Sequence, residues 1–322
     1  MSTPAKLARF QSLFALLIMV IALSFASDQF LTVPNLRNIL LQISVNLCLS
    51  IGMTLIILTG GIDLSVGAIL GLAGAVAAGV LKNGLALKAF GVQLQFTVFG
   101  AIVAGIFVGL ALGWFNGVAI TRFRLPPFVA TLGMLSIGRG LTLLWTNGFP
   151  ITGLGPTFDF IGAGFWLGVP TAIWISLGLV LLFHVVSRHA VLGRHIYAVG
   201  GSERAAAFAG LKVNRIKIWV YTLGGGLSAV AGLILTARLD AADPKAGLGY
   251  ELDSIAAVVI GGTSLSGGRG SIFGTVLGCL IIGVLNNGLV LLEVSPFWQQ
   301  VIKGFVILAA VAVDKLGSKT ED

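Results

Sequence analysis

Charge is scarce in this chain. Only 10% of its 322 residues are Asp, Glu, Lys or Arg, while 57% are apolar and the mean hydropathy is +1.02. A soluble surface carries roughly 25–35% charged positions, so a water-soluble domain is excluded. Cysteine is equally sparse. Cys48 and Cys279 each sit inside an apolar run with no metal-ligand spacing, which excludes a thiolate metal centre and implies no disulfide compartment. Carboxylates and histidines are too few for a proton relay: only Asp63 falls deep in an apolar region, and His184, His189 and His195 gather at one boundary. There is no His-Glu-x-x-His zinc motif and no Gly-x-Ser-x-Gly nucleophile elbow. Gly262 to Ser271 is glycine-rich, but its Gly267-Gly268-Arg269 lacks the lysine and hydroxyl pair of a phosphate loop. Nothing here energises transport or performs chemistry unaided.

What is abundant is hydrocarbon. Charge-free runs of Leu, Ile, Val, Ala and Gly recur from Phe10 to Val313, so lipid is the solvent for most of the chain. The expected fold class is all-α, a polytopic membrane protein with about ten transmembrane helices in a single domain over 1–322. A span needs about 20 apolar residues, which gives segments 10–27, 40–59, 64–81, 95–120, 126–146, 170–187, 218–237, 251–266, 271–292 and 297–314. The segment 251–266 is short and is expected to cross or to re-enter. Ser24-Phe25-Ala26 faintly resembles a signal-peptidase site, but the many later spans favour an uncleaved first helix.

The net charge of +8 does not indicate nucleic acid, because the 20 basic residues punctuate the ends of apolar runs rather than clustering with aromatics. They orient the chain instead, since Lys and Arg resist export. With both termini inside, the cytoplasmic connections hold Lys6, Arg9, Arg122, Arg124, Arg188, Arg194, Arg204, Lys212, Arg215, Lys217, Arg269, Lys315 and Lys319. The outer ones hold Arg37, Lys82, Lys88, Arg238 and Lys245, together with Asp28, Asp159, Asp240, Asp243, Glu251, Asp253 and Glu293. Arg139 and Lys303 lie within spans.

The cytoplasmic connection 188–217 is too basic to cross a bilayer. At its centre Gly200-Gly201-Ser202 leads into Glu203-Arg204-Ala205-Ala206-Ala207-Phe208-Ala209 and Gly210. Ser202 suits an N-cap, Glu203 the first turn, the alanines a helix interior and Gly210 a terminator. The expected product is a short helix on the cytoplasmic face, either a docking knob for a partner or an amphipathic linker.

Glycine is plentiful, at 45 residues. Four-residue spacings at Gly67 and Gly71, at Gly105, Gly109 and Gly113, and at Gly274 and Gly278 predict close helix packing. The stretches Gly60 to Gly67 and Gly261 to Gly268 match at five of eight positions. Each ends one apolar run and starts another, as broken helices of duplicated transporters do. Counting spans puts both copies in the same orientation, which an inverted repeat does not allow, so either 251–266 re-enters or the echo is convergent helix-break chemistry.

Asp63 is a candidate either for a ligand on the transport path or for a cap on the third span, bonding the N–H of Ser65 or Val66. Arg139 is placed to pair with a carboxylate or to bind free carbonyls, and Lys303 to snorkel toward a span end. Asn46, Thr54, Asn116, Asn147, Asn286 and Asn287 are neutral hydrogen-bonding groups. They suit a polyhydroxylated solute as well as helix–helix adhesion.

These residues carry a resemblance. Gly52-Met53-Thr54-Leu55, Gly60 to Gly67, Phe128-Val129-Ala130-Thr131-Leu132, Arg139-Gly140, Thr146-Asn147-Gly148, Leu192-Gly193-Arg194 through Asn214, Gly249-Tyr250-Glu251-Leu252-Asp253 through Gly268, and Asn286-Asn287-Gly288 together cover nearly the whole chain. The chain resembles the permease subunits of bacterial ABC importers for monosaccharides, closest to the ribose permeases and their xylose, arabinose and autoinducer-2 relatives. The resemblance implies a pathway-forming subunit of the bacterial inner membrane with no cofactor of its own. Its implied partners are a second permease copy, a cytoplasmic ABC ATPase holding ATP and Mg, and an extracytoplasmic sugar-binding protein. It assigns Gly200, Gly201, Glu203, Arg204, Ala205, Ala206, Ala207 and Gly210 to ATPase coupling. The candidate pathway residues are Asn46, Asp63, Ser65, Asn116, Arg139, Asp253, Ser264 and Asn286. The alternatives are a permease for autoinducer-2 or a branched-chain amino acid, and a self-sufficient carrier. The outer connection from Lys82 to Gln95 aligns poorly with sugar-specific relatives and leaves the sugar open.

Overall fold

The computed structural model describes residues 3–87 and 91–319, with side chains from 12 to 85, at 91 and from 93 to 312. The side chains of Lys6, Arg9, Lys88, Lys315 and Lys319 lie outside the described residues. Helices dominate: α1 (Thr3–Ala26), α2 (Val33–Leu58), α3 (Val66–Asn83), α4 (Val98–Arg122), α5 (Pro127–Thr146), α6 (Pro156–Ala163), α7 (Thr171–His189), α8 (Val191–Gly201), α9 (Glu203–Phe208), α10 (Val213–Leu239), α11 (Tyr250–Ile260), α12 (Ile272–Leu291) and α13 (Pro296–Lys319). Three short antiparallel pairs complete the described elements: β1 (Leu85–Leu87) with β2 (Val92–Leu94), β3 (Ile151–Thr152) with β6 (Ala241–Ala242), and β4 (Phe165–Trp166) with β5 (Val169–Pro170). Proline opens α5, α6 and α13, where its missing N–H leaves no helix bond unmade.

The all-α membrane expectation holds. Among the described residues, seven helices are long and apolar enough to cross a bilayer, namely α2, α3, α4, α5, α7, α10 and α12. Shorter apolar stretches occupy Ser12–Ala26 in α1 and Pro296–Ala312 in α13. The stretch read as 251–266 is helical only to Ile260. Eleven residues at 1.5 Å each give about 16 Å, roughly half the hydrocarbon thickness. The remainder, with Ser264 Oγ accepting from the Ser266 N–H at 3.4 Å, is a turn between α11 and α12.

Contacts divide the chain into two compact units, each built from separate stretches. One comprises Met1–Gly61, Leu177–Val213 and Leu252–Asp322; the other comprises Ile62–Ser176 and Asn214–Glu251. In the second unit α3 is the buried axis. Its glycines let other backbones touch it: a methyl at Gly74 would strike Thr236 of α10, and one at Gly232 of α10 would strike the Leu70 carbonyl. Gly109 and Gly113 of α4 meet α10 at Gly225 and Tyr221 in the same manner. Gly67 and Gly71 serve a different neighbour, the non-helical segment 244–247, whose carbonyls at Gly247 and Ala246 fill the space a side chain would need. Trp145 of α5 lies over Gly79, and its indole N–H donates to the Ala75 carbonyl at 2.9 Å.

In the first unit α12 packs on α2 and α1. The Thr54 and Thr275 hydroxyls meet at 2.6 Å, and the Asn35 and Asn287 amides bond reciprocally at 3.0 and 2.7 Å. Such side-chain bonds hold helices together where apolar surface gains nothing by leaving lipid. The two glycine stretches matched in the sequence also meet here: a methyl at Gly267 would lie 3.0 Å from the Gly60 nitrogen, and the Gly268 N–H donates to the Leu58 carbonyl just before Gly60 at 3.0 Å. They terminate α2 and α11 by one device. Gly60 and Gly262 are left-handed (φ 77° and 84°). The N–H groups of Gly60 and Gly61 return to Ile57 and Ile56, and those of Gly262 and Thr263 return to Val259 and Val258. The structural equivalence therefore pairs Gly60 with Gly262, one residue beyond the pairing that sequence matching chose.

Candidate transport and coupling sites

The connection after α7 folds as two helices. Ser202 caps α9, its hydroxyl accepting from the Ala205 N–H at 3.2 Å, and Glu203 occupies the first turn. Gly210, at φ 83°, ends it: its N–H returns to Ala207, and that of Leu211 to Ala206. Arg204, Ala205 and Ala207 are exposed, whereas Ala206 is buried and serves to seat the helix. Phe208, outside the sequence-derived set, is 92% exposed at the tip. Gly200, two residues before the α9 cap, touches the Leu58 carbonyl and the Gly268 N–H so closely that no Cβ fits. Tyr197 adds a hydroxyl bond to the Gly270 carbonyl at 3.0 Å. The ends of α2, α8 and the α11–α12 turn therefore meet backbone to backbone, with no side chain between them at Gly200.

Asp63 is fully buried in the second unit. Its Oδ1 accepts from the Ser65 N–H at 2.8 Å and from the Ser65 hydroxyl at 2.5 Å, and the Asn116 amide donates to that hydroxyl at 2.9 Å. This is an aspartate turn two residues long that precedes α3. Ser65 holds the N-cap position of α3, without a side-chain cap bond. Asp63 Oδ2 and Asn116 Oδ1 are buried without a donor. Above the knot the Ile62 carbonyl faces the hydroxyls of Thr131 and Tyr221 at 3.4 and 3.5 Å.

Of the two roles open to Arg139, the carbonyl role is the one seen. Its guanidinium donates to the carbonyls of Pro244 at 3.0 Å and Ala246 at 2.7 Å, groups freed because that segment is not helical. Lys303, expected to reach for a span end, instead bonds Asp253 Oδ2 at 3.0 Å, and the Asn286 amide approaches the same oxygen at 3.5 Å. Thus Asp63, Ser65 and Asn116 come together in one unit and Asp253 and Asn286 in the other. Asn46 contacts Ser50 within α2, and Ser264 lies in the α11–α12 turn.

Two groups of polar side chains thus lie among apolar helices, one in each unit, and among the described residues no group of three or more His, Cys, Asp or Glu could hold a metal ion. The sequence profile of the family described as branched-chain amino acid transport system, permease component, matches residues 35–311. The chain belongs to that permease family. It is 50% identical to the ribose import permease protein RbsC of Bacillus subtilis over 313 residues, covering 96% of this chain and 92% of that one. It is 49% identical to the RbsC of Escherichia coli K12, covering 97% and 95%, and 39% identical to that organism's D-allose transport system permease protein AlsC, covering 95% and 91%. A permease of this family is a transport component rather than an enzyme.

Proposed function

We propose that this chain is the membrane-spanning permease of an ATP-driven importer for ribose or a closely similar monosaccharide. The observation that carries the reading is the near-50% identity, over almost the full length, to ribose import permeases. The polar groups buried along the helices are consistent with a solute that carries hydroxyls and no charge. In this reading two copies form the pathway in the bacterial inner membrane with their termini in the cytoplasm. An extracytoplasmic protein delivers the sugar, and a separate ATPase, holding ATP and Mg, seats α9 in a groove.

On that seat Phe208 is the anchor, because it is the one large apolar side chain of α9 and is left uncovered. Buried aromatic anchors dominate interface energetics, at about 2 kcal/mol or more each. The test is radiolabelled ribose uptake in cells expressing this chain with its ATPase and binding protein, with leucine measured in parallel. Ribose uptake that requires the ATPase, and that falls at least about tenfold in Phe208→Asp with normal membrane insertion, is the expected result. Leucine uptake in place of ribose, or uptake without the ATPase, overturns the reading.

A further inference from the structure

Lys303 and Asp253 sit on α13 and α11, with Asn286 of α12 beside them, so three helices of one unit converge on a single carboxylate oxygen. Lys303 falls within the apolar stretch Pro296–Ala312. The pair is not sealed: its side chains keep 29% and 12% of their surface, for Lys303 and Asp253 respectively. Charged groups within apolar helices face water or protein rather than lipid. At the same place the Asn286 Oδ1 is buried with no donor.

We infer that Asp253, Asn286 and Lys303 form a contact site for a neutral polyol on its way through the permease. The ion pair has no net charge, which favours an uncharged solute. Its bonding capacity is incomplete in a particular way. An ammonium carries three N–H donors, of which the ion pair engages one, and the Asn286 oxygen lacks a donor. A hydroxyl is the group that satisfies both, donating to the amide oxygen while accepting from the ammonium. A second hydroxyl on the adjacent carbon then donates to the Asp253 carboxylate, so a vicinal diol matches the set. Bonds to charged partners are the stronger kind, and a site built to bond hydroxyls leaves polar groups unpaired when they are missing.

This inference rests on the sugar-importer reading, and the test separates the two. The complete complex, with ATPase and saturating binding protein, is placed in lipid vesicles, and ribose transported per ATP hydrolysed is measured. Asp253→Asn combined with Lys303→Met removes both charges and leaves none stranded. The expected result is a fall of about tenfold in ribose per ATP, with ATP hydrolysis stimulated by the binding protein held within about twofold. Recovery of the double variant to within about twofold of wild type makes the pair a packing device and overturns the site. Asn286→Ser touches no charge and covers the case in which the double variant does not insert: ribose per ATP is expected to drop, and an unchanged ratio overturns the site equally. If the wild-type complex moves no ribose, the importer reading fails first and the site falls with it.

Discussion

Two buried aspartates, one in each unit, meet the same problem differently. Asp63 is fully buried and draws its donors from Ser65, two residues on, with Asn116 behind. Asp253 draws on Lys303, fifty positions away. A carboxylate held by its own loop belongs to the local chain, whereas one held by a distant cation belongs to the packing of helices.

The largest expected effect exploits that difference. Asp253→Asn leaves the half-buried Lys303 ammonium without its counter-charge, a loss of up to about 3 kcal/mol. Asp63→Asn keeps an oxygen for the Ser65 donors and strands no partner charge, so it is expected to alter stability by about 1 kcal/mol or less. Thermal midpoints of the detergent-solubilised variants check this. Equal losses at the two positions erase the distinction between a loop-held and a packing-held carboxylate.

The same contrast decides what was legible in the sequence. The α9 boundaries were readable because Ser202 and Gly210 act through bonds spanning three to five residues. That Ala206 faces inward was not, because a six-residue helix with three alanines has no apolar period, and its burial depends on remote chain. The glycine spacings correctly announce close packing, yet not that Gly67 and Gly71 receive a turn, residues 244–247, rather than a helix. The end of α11 at Ile260, inside the short stretch 251–266, is not legible because the turn after Gly262 is only weakly polar, so hydropathy carries on where the backbone reverses. The sequence points Lys303 to its own helix end, because its partner Asp253 is brought to it only by folding.

A smaller effect sharpens the comparison at the junction of α2 and α8. Gly200→Ala drives a methyl into the Leu58 carbonyl, whereas Gly201→Ala meets nothing within 4 Å. Overpacking of this kind costs about 1–3 kcal/mol. The neighbouring change is expected to stay within about 0.5 kcal/mol. Thermal midpoints that fall only for Gly200→Ala confirm that backbone contact, rather than glycine flexibility, is what the position supplies. In the vesicle assay Gly200→Ala is also expected to lower ribose moved per ATP, since the contact links the approach to α9 with the ends of α2 and the α11–α12 turn.

The smallest effect is a pH dependence in the second unit, away from the spanning helices. Asp159 on α6 stands near Asp240, whose own Oδ1 accepts from the Leu154 N–H at 2.7 Å. Burial, and then the facing Asp240 carboxylate, push the Asp159 carboxyl above its ordinary 3.8. A folded value above the unfolded one means that the fold favours the protonated form. That contribution is present in full below about pH 3.8 and is lost as the pH rises through the raised folded value. Acidification from neutrality toward pH 4 should therefore raise the relative stability of the segment around α6, seen as a small upward shift of the thermal midpoint. Asp159→Asn imitates the protonated state, so it should lift the midpoint slightly at pH 7 and flatten the pH dependence in that window. A variant that keeps the wild-type slope assigns the titration to another group and leaves the two carboxylates as neighbours without consequence.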